Sequence, residues 1–164
     1  MTAAPMRKFL KIAIIVCLAV AAIPAVLFAW IWYKTAEVDS FYREHRLLRG
    51  MRAAAHGGGV SKPAREALLQ ELPLGTDKEA AIAVLRKEGL GCQPIPDAWM
   101  RQQLSIGARG LTNDPNDSGT SKEWVDCQME IQNVMGYDHW IVDLEFEADG
   151  HLSDARVTIL YLFL

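Results

Sequence analysis

Three cysteines and four histidines are all that this 164-residue chain holds of the side chains that most often carry metal or nucleophilic chemistry. Cys92 and Cys127 have no second Cys or His at ligand spacing, so a metal centre is not expected. His45, His56, His139 and His151 fall in a helical stretch, at a glycine cluster and at strand ends, and no nucleophile motif stands near any of them. Catalytic residues, a cofactor and a small-molecule substrate are therefore not expected. The cluster Gly57-Gly58-Gly59 lacks the Lys-Ser or Lys-Thr of a phosphate-binding loop and follows no strand. Asp114 and Asp117 do not match a calcium loop. Charge of one sign is also scarce: 17 basic against 20 acidic residues leave a formal net charge of -3. The basic residues gather before position 66 and the acidic ones after it, an asymmetry too mild for a nucleic-acid binder.

What the chain does have is one long uncharged run, Ile12 to Tyr33. At the helical rise it is about 33 Å long, enough to cross a hydrocarbon core of about 30 Å. The run predicts a transmembrane helix over 12–33. A cleavable signal peptide with its exit at Ala19-Val20-Ala21 is the competing reading. Against it, the apolar residues continue to Ile31 and close on Trp30, Trp32 and Tyr33, aromatics suited to a membrane boundary. Val16 before Cys17 does not fit a lipid-modified cysteine. Pro24 removes one helical donor in mid-span and should bend the helix modestly. Arg7, Lys8 and Lys11 crowd the leading end, while Lys34 stands beside Glu37 and Asp39. That placement predicts a basic tail, 1–11, in the cytoplasm and the rest of the chain outside it, in the periplasm of a cell with an inner membrane.

Beyond the run, Val38, Phe41, Tyr42, His45, Leu48, Met51 and Ala55 recur at offsets of three and four, which predicts an amphipathic juxtamembrane helix within 34–60. Its other side carries Arg43, Arg46, Arg49 and Arg52, either as a solvated face or as contacts to anionic lipid or an acidic partner subunit. The glycines at 57–59 end it as a hinge. Ser61 and Pro63 start a helix over Ala64–Leu72, and Pro73 stops it. Thr76 and Glu79 read as a capping box opening a helix over 77–88, closed by Gly89.

After Cys92 the period changes from 3.6 to 2. Val125, Cys127, Met129 and Ile131 mark one strand and Trp140, Val142, Leu144 and Phe146 a second. Past the Asp149-Gly150 turn, Leu152, Ala155, Val157, Ile159, Tyr161 and Phe163 mark a third. The short connections require antiparallel neighbours. Residues 97–121 are less regular, with a strand or short helix over Asp97–Ile106 and then a polar loop.

The order Leu74-Gly75-Thr76, capped helix, glycine, a strand containing Trp124, then a strand joined through Asp149-Gly150 to the next resembles the BamE/SmpA/OmlA-like family of small envelope proteins. The similarity covers roughly Pro73 to Ile159. It implies a helical pair packed on one face of a three-stranded antiparallel sheet, and with it a place in the cell envelope. A membrane helix in place of the family's lipid anchor, and a long linker between Gly91 and Trp124, are departures that put a role in outer-membrane protein assembly in doubt. In an extracytoplasmic domain Cys92 and Cys127 would form a disulfide, the alternative being two buried thiols.

The expected fold class is therefore α+β: a transmembrane helix and a juxtamembrane helix, then a single domain over 61–164 with a helical pair on a three-stranded sheet. The expected function is non-catalytic, a membrane-anchored domain that binds or helps assemble another envelope protein. The alternative is a single-span accessory subunit of a larger membrane complex. Candidate partner or lipid contacts are Phe41, the four arginines, and Leu160, Leu162 and Leu164, which form an apolar stripe on the sheet's otherwise polar face.

Overall fold

The computed structural model describes residues 4–96 and 123–163, with side chains from residue 19 onward. The stretch expected to hold an extra element over Asp97–Ile106, and Leu164, lie outside the described residues. The long apolar run is part of one helix, α1, Ala4–Glu44, with Pro24 inside it. Its segment from Ala19 is long and apolar enough to cross a membrane, and Val26, Phe28 and Trp32 are exposed there. The helix does not end with the apolar run. It continues for eleven residues past Tyr33 and brings Val38 and Tyr42 into the core.

One juxtamembrane helix was expected up to Ala55, and the structure corrects this. The helix breaks at His45 (φ -106°, ψ 88°), and α2 occupies Arg46–Ala54. The His45 ring stacks on Phe41 at 4.0 Å, and its Nδ1 lies 2.8 Å from the Phe41 carbonyl oxygen. The same carbonyl also accepts from the His45 N–H at 3.2 Å, so backbone and side chain of His45 share one acceptor at the break. Past the break, α2 folds back along the end of α1, so that the Arg52 guanidinium lies 4.2 Å from the Tyr42 ring centroid and 3.8 Å from Asp39.

The glycine cluster is likewise more than a hinge: Gly59–Val60 forms a short strand, β1, paired with residues 158–159. Helix α3, Lys62–Glu71, starts on Ser61, whose Oγ accepts from the Ala64 N–H at 3.3 Å. Helix α4 spans Lys78–Lys87. Its cap is not the expected Thr76–Glu79 box. Asp77 is the cap, its Oδ1 accepting from the N–H groups of Glu79 (3.0 Å) and Ala80 (3.3 Å). Thr76 is engaged elsewhere: its Oγ1 donates to the Pro73 carbonyl, and its own carbonyl accepts from Leu152 N–H. That pairing holds Thr76 in extended chain, and the helix starts one residue later than the motif implied. Gly89, at φ 92°, closes α4 as expected.

Strands β2 (Gly91–Ile95), β3 (Glu123–Gln132), β4 (Gly136–Phe146) and β5 (Leu152–Phe163) complete the fold. The sheet has five strands in the order β1-β5-β4-β3-β2, every neighbour antiparallel. The three strands read from the sequence are its centre; the two short edges were not foreseen. A bulge at Ser153 resolves a parity problem in β5, because Leu152 and Ala155 would otherwise face opposite sides. Both are buried. The core lies between the helices and one face of the sheet, with Leu48, Met51, Leu68 and Leu85 against Val125, Trp140, Val142 and Ile159. Trp140 Nε1 donates to Tyr42 Oη at 3.0 Å and so ties the end of α1 to the sheet's middle.

Candidate functional site

Every buried strand residue of the core cluster has one parity, and the helices lie on that side. The other face is where alternate strand residues are left to other tasks. Its central row is set by register: Gln93 on β2 stands opposite Asp126 on β3, Asp126 opposite Asp143 on β4, and Asp143 opposite Arg156 on β5. Although they belong to the face away from the helices, Asp126 is only 4% exposed and Asp143 9%. Burial pushes the Asp143 carboxyl up to about 6; the neighbouring Asp126 charge raises it further, and Arg156 opposes the shift. Burial also raises Asp126, against hydrogen bonds from Gln128 and Gln93 and the nearby His139. Among the described residues, Asp126 Oδ1 and Arg156 Nε are buried without a hydrogen-bond partner.

Around the row lies a polar network: Gln128 donates to Asp126, His139 Nε2 is 3.2 Å from Gln128 Oε1, and His139 Nδ1 is 3.5 Å from Glu130. Toward the turn between β3 and β4 the face becomes apolar, with Leu160 opposite His139 and Leu162 opposite Tyr137, both exposed. Among the described residues no group of three or more His, Cys, Asp or Glu could hold a metal ion.

No family model, curated protein or solved structure matches this chain.

The fold divides the sequence-predicted residues between the α1–α2 helices and the outer face of the sheet. Because of the break at His45 the four arginines do not share one helix face. Arg46 pairs with Glu71 on α3 at 3.1 Å, and Arg52 is taken up by Tyr42 and Asp39. Arg43, Arg49 and Arg52 nevertheless line one cleft of about 730 Å³ between α1 and α2, with Asp39 and Tyr42. Phe41 is half-buried: it packs against the core, stacked on His45 and edge-on to Tyr42. Cys92 and Cys127 stand directly opposite in the β2–β3 register, with their sulfurs at the bonding distance of 2.03 Å. Sequence reasoning missed the Gln93–Asp126–Asp143–Arg156 row. Each member sits at a polar position of an alternating strand, but only the register puts them in line. An outward arginine flanked by Ala155 and Val157 was the one local signal.

Proposed function

We propose that this chain is a membrane-anchored, non-catalytic protein of the cell envelope whose α+β domain binds another envelope protein through the outer face of its sheet. The observation that carries the reading is the central row of that face. Its carboxylates and guanidinium are closed off from solvent, and two rows further along β5 the same face turns to the exposed Leu160 and Leu162. Exposed apolar side chains rimmed by a polar row on one sheet face suit a protein partner. The exposed apolar segment of α1 supports the anchor, and the basic amino terminus supports a cytoplasmic start with the domain in the periplasm of a cell with an inner membrane. The paired Cys92 and Cys127 suit an oxidising compartment. The resemblance of Pro73–Ile159 to BamE/SmpA/OmlA-like proteins points to the same place.

The test is site-specific photocrosslinking of the full-length protein in its native membrane. A photoreactive residue at Ile141 or Thr158 should give a discrete adduct with one envelope protein, and the same residue at Gln70 on α3 should give none. Equal adducts from both faces, or none from the sheet, would refute the binding face. A stoichiometric set of membrane subunits retained in mild detergent would instead mark an accessory subunit.

A further inference from the structure

We propose that the domain also rests directly on the lipid surface, through an apolar tip formed by the turn between β3 and β4 and the last residues of β5. This rests on the reading of α1 as a membrane span. Met135 in the turn is 66% exposed and Phe163 is 78% exposed, with Leu162 also exposed between them and the polar rows of the sheet. Gly136 pairs with Phe163 and Tyr137 with Leu162, so turn and strand end form one surface.

The tip lies on the anchor side of the domain. Thr35 and Val38 of α1 line one crevice with Asn133, Val134, Asp138 and Tyr161. Levels along helix and strand can then be matched. Tyr42 bonds to Trp140, whereas Val38, four residues earlier in α1, shares the crevice with Asp138, two residues earlier in β4. Four helical residues rise about 6 Å and two strand residues about 6.6 Å, so α1 and β4 run side by side in the same direction. Two strand residues before Asp138 come Gly136 and its partner Phe163, about 6.6 Å nearer the anchor than Val38. Tyr33, the last residue of the apolar run, is about 7.5 Å nearer. Phe163 and Met135 therefore lie on the Tyr33 side of Val38, toward the end of the apolar run. At that depth the surroundings are the headgroup and acyl boundary, where apolar and aromatic side chains are favoured. The occupant of this surface is lipid.

The experiment is a spin-label depth measurement on full-length protein reconstituted into phosphatidylcholine–phosphatidylglycerol vesicles, in a Cys17→Ser background. Labels are carried by Met135→Cys, Phe163→Cys, Val26→Cys in the apolar run and Glu147→Cys in the distal turn. All four side chains are exposed, so the substitutions leave the fold in place. The ratio of relaxation by oxygen to relaxation by a water-soluble nickel chelate should be several-fold higher at 135 and 163 than at 147, and should approach that at 26. If 26 is lipid-buried while 135 and 163 behave like 147, the tip proposal falls and the anchor stands. If 26 is itself open to the chelate, the anchor falls and the tip with it. Protection of 135 and 163 that disappears when the protein is diluted in lipid would assign the tip to a second copy and overturn the proposal.

Discussion

Asp143 shows how a single residue on this sheet is held against its preference. Its carboxyl is raised from the ordinary 3.8 to about 6 by burial, with Asp126 beside it. The unfolded chain releases that proton first as pH rises, so the folded state binds more protons between about pH 4 and pH 6 and stability falls across that window. Asp143→Asn removes the titration. Urea unfolding of the full-length variant in detergent should show it equal to the parent near pH 4 and more stable above pH 6, by roughly 1 to 3 kcal/mol. A parent whose stability rises from pH 4 to pH 6 as steeply as the variant's would contradict the assignment.

Among the elements, α4 and the β4–β5 pair depend on single positions. Asp77 caps α4 through its side chain, and Asp77→Ala should lower stability by about 1 kcal/mol, read as a shift in the urea midpoint with an unchanged slope. Thr76→Val should cost less, because the Thr76 hydroxyl does not cap the helix. Gly136 is a stricter requirement. A Cβ built there would lie 1.8 Å from the Leu162 carbonyl oxygen, a backbone atom that cannot step aside without opening the ladder. Gly136→Ala should cost about 3 kcal/mol and speed amide exchange at Leu162 and Phe163 before it does so at Val157. Helix α2 has no cap from its own sequence. Glu88, forty residues on, accepts from the Leu48 N–H at 3.4 Å, so the end of α4 holds the start of α2 and places a carboxylate at its positive end.

For the whole molecule, the Cys92–Cys127 pair decides whether the edge strand β2 stays on the sheet. β2 has five residues, one of them Pro94, and so offers few ladder bonds of its own. A bridge across 35 residues should contribute about 3 to 4 kcal/mol in the chain-entropy model. Unfolding of the full-length protein with and without reductant should differ by that amount, and the Cys92→Ala/Cys127→Ala double variant should match the reduced form under both conditions. The elements with strong periodicity or length were legible in advance: the long apolar helix from its uncharged run, α3 from Ser61 and Pro63, and β3 to β5 from alternation. β1 and β2 were not, because two and five residues are too few to show a period, and both exist only by pairing with β5 and β3. The break at His45 was also hidden, since the apolar offsets continue through it; it follows from a local bond to Phe41 and from Arg52 reaching back to Tyr42 and Asp39. Of the candidate site, the sequence placed Leu160 and Leu162 on an outer face by parity alone. It could not align Gln93, Asp126, Asp143 and Arg156, which come from four strands. Local composition and period determined which segments are helix, which are strand and which helix is long and apolar enough to cross a membrane, because those depend on neighbours within a few residues. Register, the fold-back of α2 and the meeting of the β3–β4 turn with the end of β5 were decided by tertiary structure, because each joins residues that only packing brings together.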